Sequence, residues 1–405
     1  MPFSFGRYSG LLLIFFFHGL VYAFLLLQKG IKNDRASDKW LAAFLLLCIL
    51  YISPWMLGFA GWYDGFNCLN CRNFLFYMPL QHTLWMGPII YFYLQTLFQP
   101  TFKFSRKDLL HFLPGALYLI WCVIVFVTDR LILNKYYLMD GIADPDFDVW
   151  YITAGLISLL AYLVLSIRYY LRYKQFILQE ASFADAIMFR WVRNFLIAFF
   201  IYFLLNFIFH LVPLFGIEVD YVDNWWYYLL FALLFYYIAI NGYSNSIEAR
   251  MFFVLELLSY KKQNLLVAPP SPPEEIFEDI AFEELTPTAK SISDLDLWKS
   301  KVVHEVVTQK AYANPELTLT DLARQLDTNS SFLSKVINTG FEKNFNDFIN
   351  YYRVEEVKQN LQTEVAGQVT IMSIAYDAGF NSKATFNRAF KKFTGKNPKD
   401  FLTNP

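Results

Sequence analysis

The chain has 405 residues, of which 56% are hydrophobic, 20% aromatic and only 17% charged, and its mean hydropathy is +0.32. This composition argues against a wholly soluble protein. The net charge of −1 excludes a uniformly basic nucleic-acid coat protein, and four cysteines are too few for a disulfide framework. The apolar excess lies towards the front of the chain, because 66 of the 80 aromatic residues precede Trp298.

Apolar segments of about 20 residues, the length that crosses about 30 Å of hydrocarbon, recur through the first 240 residues. Seven are recognised: Ser9–Leu27, Trp40–Ala60, Phe74–Phe98, Leu109–Thr128, Val149–Ile167, Phe195–Phe215 and Trp225–Ile240. They predict a seven-helix membrane domain over residues 1–241. A soluble alternative would need seven long helices that are apolar on every face. The first segment imitates a secretory signal near Val21–Ala23, but it is long enough to span and is interpreted as a retained helix.

The lysines and arginines between these segments predict the orientation. The loops on one side, 28–39, 99–108 and 168–193, carry twelve, whereas the other side carries four. Because positive loops face the cytoplasm, the N-terminus is predicted outside and the C-terminus in the cytoplasm of a bacterial inner membrane.

The predicted connector has two parts. Residues 242–266 include apolar residues at helical spacing and predict a membrane-proximal helix, which either lies at the interface or pairs with a second copy. Residues 267–297 hold five prolines and eight acidic residues against one lysine, which indicates an extended tether.

The last part of the chain, residues 298–405, predicts two helix-turn-helix units. In the first, Thr318 and Asp321 form a capping box for a helix through Leu326, and Asn329 caps the helix Ser330–Asn338. A longer helix follows, about Asn346–Thr363.

The pattern then repeats with the helices Ile371–Ala378 and Lys383–Phe393, with Gly379 in the turn and Ser382 as the cap. Gly379–Lys399 contains six lysines and arginines and no acidic residue, a charge pattern that suits phosphate contact. The predicted fold is therefore all-α: a seven-helix membrane domain followed by a domain with two helix-turn-helix units.

Five stretches carry a family resemblance: Leu317–Ala323, Phe332–Lys335, Asp347–Glu356, Ile374–Phe380 and Phe386–Pro398. Over residues 302–402 they resemble the DNA-binding domain of the AraC/XylS transcription regulators. The chain departs from that family at Phe341-Glu342, where Thr-Gly is common. The first 240 residues do not resemble the family's sugar-binding domain.

The resemblance implies a monomeric module that places two recognition helices in consecutive major grooves of promoter DNA. It also implies RNA polymerase as a partner. Carried over by position, the DNA-facing residues are Ser331, Ser334, Lys335, Ser382, Lys383, Ala384, Asn387, Arg388, Lys391 and Lys392. Arginine, lysine and asparagine are side chains that read purine edges, and an alanine can contact a thymine methyl group.

Candidate sensing residues lie in the membrane part. Cys68 and Cys71 are predicted in an outer loop, where a structural disulfide, a redox switch and half a metal site all remain open. His82 and His210 are predicted in the outer third of their spans, either in a shared ligand pocket or hydrogen-bonded between helices.

Neither a nucleotide-binding loop nor a catalytic signature occurs in the sequence, so we expect no enzyme and no cofactor or metal. The pattern predicts a membrane-bound one-component regulator that senses an unknown ligand and binds promoter DNA, with homodimerisation as one way of coupling the two. The alternatives are a transporter or small-molecule carrier with a regulatory tail, or a regulator that its helices merely anchor.

Overall fold

A computed structural model describes residues 5–63, 68–99, 101–139, 148–184, 190–215, 221–244, 290–362 and 370–403. It divides into two compact units. The first comprises Met1–Leu171 and Phe189–Phe252, and the second comprises Arg172–Met188 and Phe253–Pro405. The described residues form helices and no named strand, in agreement with the predicted all-α class.

The first unit is a bundle of apolar helices. They are α1 (Arg7–Lys32), α2 (Ala36–Leu57), α3 (Leu69–Tyr77), α4 (Thr83–Phe98), α5 (Leu113–Phe126), α6 (Val149–Glu180), α7 (Arg190–Leu211) and α8 (Trp225–Ser244). Helix α2 is central, because it packs against α1, α4 and α8 and is buried over 78% of its most apolar stretch. The other spanning helices keep apolar faces exposed, as helices in contact with lipid do.

Six helical segments of the described residues are long and apolar enough to cross a membrane. These are Arg7–Lys32, Ala36–Trp62, Arg106–Ile132, Val149–Glu180, Trp191–Leu211 and Trp225–Ser244. The predicted count of seven is not confirmed, because the third predicted span is broken into α3 and α4 at Met78–His82. Pro79 lies in the break and has no backbone N–H to donate. The 16 residues of α4 reach only about 24 Å.

Helix α6 is longer than the sequence predicts. Its predicted span ends at Ile167, but the helix continues to Glu180 and thus occupies half of the loop predicted over residues 168–193. The residues after Leu171 belong to the second unit.

The second unit contains α9 (Lys290–Val303), α10 (Leu319–Gln325), α11 (Ser330–Phe341), α12 (Phe345–Gln362), α13 (Ile371–Asp377), α14 (Lys383–Thr394) and α15 (Pro398–Thr403). Two hydrophobic clusters stabilise it. The first cluster contains side chains from α9, α10, α11 and the start of α12, with Leu322 and Leu333 among them. The second contains side chains from the rest of α12, from α13 and from α14, with Ile374 and Phe386 among them. Helix α12 therefore connects two small cores.

The connector lies almost wholly outside the described residues, so its helix over 242–266 and its tether remain predictions. Helix α9 begins at Lys290, inside the segment that the sequence assigns to the tether, and its Leu295 packs against the first cluster.

Candidate nucleic-acid interface

The first helix-turn-helix unit consists of α10 and α11. Thr318 Oγ1 accepts from the Asp321 N–H at 3.0 Å, and the Asp321 carboxylate accepts from the Thr318 N–H at 3.3 Å. These two bonds form the predicted capping box. Asn329 Oδ1 accepts from the Phe332 N–H at 2.8 Å and starts α11 as predicted. The two caps fix where the turn between the helices begins and ends.

Helix α11 extends three residues beyond its predicted end, to Phe341. Glu342 follows in the left-handed conformation, with φ 53° and ψ 32°. This is the backbone geometry that a glycine adopts without strain after a helix, so the glutamate preserves the turn at an energetic cost.

The predicted contacts on α11 are not equally accessible. Ser331 and Lys335 are exposed, but Ser334 is only 9% exposed and its Oγ lies 3.3 Å from the Asn338 amide nitrogen. Ser334 therefore lies on the packed side of the helix, whereas Ser331 and Lys335 face solvent.

The second unit consists of α13 and α14. Thr370 caps α13, and Ser382 caps α14 by accepting from the Thr385 N–H at 3.2 Å. Gly379 in the turn has φ +91°, and a Cβ there would lie 2.5 Å from the Tyr312 carbonyl oxygen. Glycine is thus required in the turn both by its backbone angle and by this close approach.

Helix α14 presents a continuous exposed stripe. Lys383, Ala384, Asn387, Arg388 and Lys391 are all exposed and recur at the spacing of one helix face. The opposite face, with Phe386 and Phe390, is fully buried in the second cluster. Because α14 begins at a capped N-terminus and exposes both cations and an amide, its stripe offers groups for phosphates and for base edges.

Several predicted contacts on α14 have partners within the unit, among them Arg388, whose Nε donates to the Ala384 carbonyl oxygen at 3.3 Å. The Ser382 hydroxyl is bonded to Thr385 in the cap. The Lys392 ammonium lies 2.6 Å from a carboxylate oxygen of Asp347 on α12. Lys392 therefore links the second recognition helix to the helix between the two units.

A buried arginine that the sequence analysis does not single out joins the loops of this unit. Arg353 on α12 is 1% exposed, and its guanidinium donates to the carbonyl oxygens of Tyr312 at 2.8 Å and Asn314 at 2.7 Å. Burial lowers the pKa of Arg353 to about 9, so the group keeps its charge at neutral pH. The available signal was its position in the helix, because Arg353 lies one turn from each of Ile349 and Val357 and so falls on their packed face.

The candidate sensing residues lie in the first unit. Cys68 and Cys71 form a disulfide at the start of α3. The structure gives the two histidines different partners: the His82 ring stacks on Trp85, and His210 Nδ1 lies 2.7 Å from the Asn206 carbonyl oxygen. Among the described residues, no group of three or more histidine, cysteine or acidic side chains is arranged to hold a metal ion.

A polar cluster and a cavity lie beside His210. The Asn206 side-chain amide donates to the hydroxyls of Tyr51 and Tyr227, and these two hydroxyls are 2.8 Å apart. The adjacent cavity has room for about one water molecule. Its lining includes His210, Asn206, Tyr51 and the two chain neighbours of His82, Gln81 and Thr83.

Comparisons with known proteins concern the C-terminal part of the chain. Residues 322–404 match the family model of a helix-turn-helix domain. Uncharacterized HTH-type transcriptional regulators of Staphylococcus aureus strains COL and MSSA476 are each 35% identical over 86 residues, or 21% of this chain. The chain spans only 11% of the length of these relatives.

A solved structure of a protein of unknown function from Listeria innocua is also similar. It is 25% identical, with a TM-score of 0.23, and the similarity covers 26% of this chain and 94% of that one. The capped helix pairs and the family match together confirm the predicted resemblance: residues 322–404 of this chain form an AraC-type helix-turn-helix domain.

Proposed function

We propose that the chain is a membrane-embedded one-component transcription regulator, which responds to a signal through its helices and binds promoter DNA with its C-terminal domain. The observation that carries this proposal is the exposed stripe of α14, together with the six helices among the described residues that are long and apolar enough to span a membrane. The twelve cations in the loops on one side favour a cytoplasmic location for the DNA-binding domain.

The geometry supports a two-site reading of the DNA. Helix α12 has 18 residues and is about 27 Å long, close to the roughly 34 Å between successive major-groove faces. On this proposal α14 reads sequence through Asn387 and Arg388, and α11 contributes Ser331 and Lys335 with less discrimination because its exposed side chains are fewer and shorter.

Signal detection is assigned to the membrane part. The cluster of Asn206, Tyr51 and Tyr227 places polar groups inside an otherwise apolar bundle, where such groups are costly unless they bond to one another or to a ligand. We propose that this cluster rearranges to admit a small polar ligand beside His210, where the cavity has room for about one water molecule. Recruitment of RNA polymerase and pairing of two chains are part of the same proposal.

The test uses the full chain in nanodiscs of phosphatidylethanolamine and phosphatidylglycerol. Duplexes enriched from a random library should share a motif, and replacing Asn387 and Arg388 together by alanine should abolish the enrichment. The matched control is Lys358→Ala, since Lys358 lies on α12 and is already paired with Glu355 at 2.9 Å. Failure of the wild-type chain to enrich any motif overturns the proposal.

Sensing and simple anchoring are separated in cells. Transcription from the mapped promoters is measured for the wild-type chain and for Asn206→Leu, with Leu204→Ala on the lipid-exposed side as the control. A sensor predicts that Asn206→Leu changes output or removes its response to growth conditions, whereas an anchor predicts no difference between the variants.

A further inference from the structure

The cytoplasmic end of α6 continues into a short segment, Glu180–Ala184, which packs within the second unit together with the DNA-binding domain. Ala181, Ser182 and Ala184 are fully buried, and Phe183 is 5% exposed. An exposed loop between two spans would not bury four consecutive residues. The segment is therefore held by specific contacts.

The backbone of this segment is bound by α12. The Ser182 carbonyl oxygen accepts from Asn346 Nδ2 at 2.9 Å, from Asn350 Nδ2 at 3.3 Å and from Arg353 Nη1 at 3.3 Å. Arg353 Nη2 also donates to the Ser182 hydroxyl at 3.0 Å. A charged donor and two amides thus converge on one residue of the segment, and hydrogen bonds from a charged group are the stronger kind.

The other side of the segment is bound by the first helix-turn-helix unit. Ser182 donates its N–H to the Leu317 carbonyl oxygen at 3.1 Å, and Ala181 pairs with Thr318 in an isolated antiparallel bridge. The Glu180 carboxylate accepts from the Thr320 N–H at 3.2 Å and from the Thr320 hydroxyl. Thr318 and Thr320 are at the start of α10, where a carboxylate also complements the helix dipole.

These contacts differ from the contacts that hold the domain itself together. Arg353 would satisfy the loop carbonyls of Tyr312 and Asn314 in any case, whereas the side-chain amide of Asn346 donates to the carbonyl oxygens of Ala181 and Ser182. These contacts define a socket for a residue that pairs as in a strand, Ala181, followed by a small hydroxyl residue, Ser182. The socket is formed by Leu317, Thr318, Thr320, Asn346, Asn350 and Arg353.

We infer that this socket is the receiving surface for the regulator's own Glu180–Ala184 segment, and that seating of the segment controls how the DNA-binding domain engages DNA. The inference rests on the proposed function. Because α6 is one continuous helix up to Glu180, a displacement of its cytoplasmic end acts directly on α10 and α12. The membrane part then reaches the domain through these hydrogen bonds as well as through the chain that follows α8.

Seating itself is tested by cross-linking in native membranes. The bridge pair is replaced as Ala181→Cys and Thr318→Cys, since residues opposed in an antiparallel bridge lie within the reach of a disulfide. The four natural cysteines are buried or already bonded to each other. Mild oxidation should give the linked peptide pair in most molecules by mass spectrometry. The control pair Gln175→Cys with Thr318→Cys should give no cross-link, because Gln175 lies on α6, six residues before Ala181, and its side chain faces solvent.

Control of DNA binding is tested with two unseating variants from opposite sides of the contact. Ser182→Lys places a second cation beside Arg353, and Asn346→Ala removes the amide that holds the segment's carbonyl oxygens. The full chain in nanodiscs is titrated with the enriched duplex. Both variants should change the dissociation constant at least threefold in the same direction, and Gln175→Lys should stay within twofold of wild type.

The outcomes separate the two proposals. Absence of the cross-link, or DNA affinities that do not differ between the unseating variants and wild type, overturns the seated-segment inference. A wild-type chain that binds no duplex overturns the proposed function. In that case the control Gln175→Lys also binds no duplex, whereas the cross-link between residues 181 and 318 still forms.

Discussion

The ammonium of Lys392 lies 2.6 Å from the carboxylate of Asp347, so a cation at the end of the second recognition helix is bonded to the start of α12. Its neighbour Lys391 is exposed on the stripe that we assign to DNA. Two adjacent lysines of the same helix therefore have different surroundings.

This difference predicts unequal effects on DNA binding. Lys391→Ala should reduce the slope of log K against log salt by about 1, the amount expected for one lost phosphate contact. Lys392→Ala should reduce it by clearly less, because Asp347 already neutralises that charge. Titrations at several salt concentrations measure both slopes. Equal slopes for the two variants would contradict the assignment.

Arg388 is the side chain on the stripe best suited to guanine. Arg388→Ala should weaken binding to the enriched duplex by about 1–3 kcal/mol and relax the preference at a single base pair. The measurement is the dissociation constant for the enriched duplex and for its single-base variants. A uniform loss on all sequences would show that Arg388 contacts phosphate.

Gly379 is predicted to resist substitution. Gly379→Ala combines a positive φ with a Cβ placed 2.5 Å from the Tyr312 carbonyl oxygen, and should destabilise the domain by about 2 kcal/mol or more. Urea-dependent proteolysis of the domain in the full chain measures the change. Gly395→Ala is a useful comparison, because Gly395 also has a positive φ but nothing lies within 4 Å of its Cβ position. It should cost less.

At Glu342 the reverse substitution, to glycine, should be stabilising. Glu342→Gly should stabilise the domain by roughly 0.5–1 kcal/mol, since glycine adopts the left-handed conformation without the penalty that a side chain incurs. The same proteolysis assay reports it. Unchanged or lower stability would mean that the glutamate side chain compensates for its backbone conformation.

The stability of the domain should depend on pH through the carboxyl group of Glu356. Burial acts to raise its pKa, but hydrogen bonds from Tyr312 at 2.9 Å and Lys310 at 3.2 Å outweigh burial and lower the pKa of Glu356. A carboxyl group with a lowered pKa stabilises the folded state above its unfolded value of about 4.5, and this contribution is lost as the pH falls further. Wild type should therefore be more stable than Glu356→Gln at pH 7, and the difference should shrink below pH 4.5. Calorimetry of the full chain at both pH values tests this.

The sequence by itself determined the features that depend on neighbouring residues. Thr318, Asn329 and Ser382 cap the helices that they were expected to cap, because capping joins a side chain to a backbone N–H only two or three residues away. The exposed stripe of α14 likewise follows from helical periodicity, and the apolar segments follow from the length that a membrane requires.

Only the tertiary structure decided which residues are buried, where the third apolar segment breaks and which distant residues meet. Ser334 is buried although Ser331 and Lys335 on the same helix are exposed, since packing against the first cluster selects the inner face of α11. The third apolar segment is two helices, because the chain breaks at Pro79. Arg353 and Ser182 are 171 residues apart in the chain, and no local pattern connects them. Their hydrogen bonds arise because a buried guanidinium must find acceptors, and the fold brings the end of α6 within its reach.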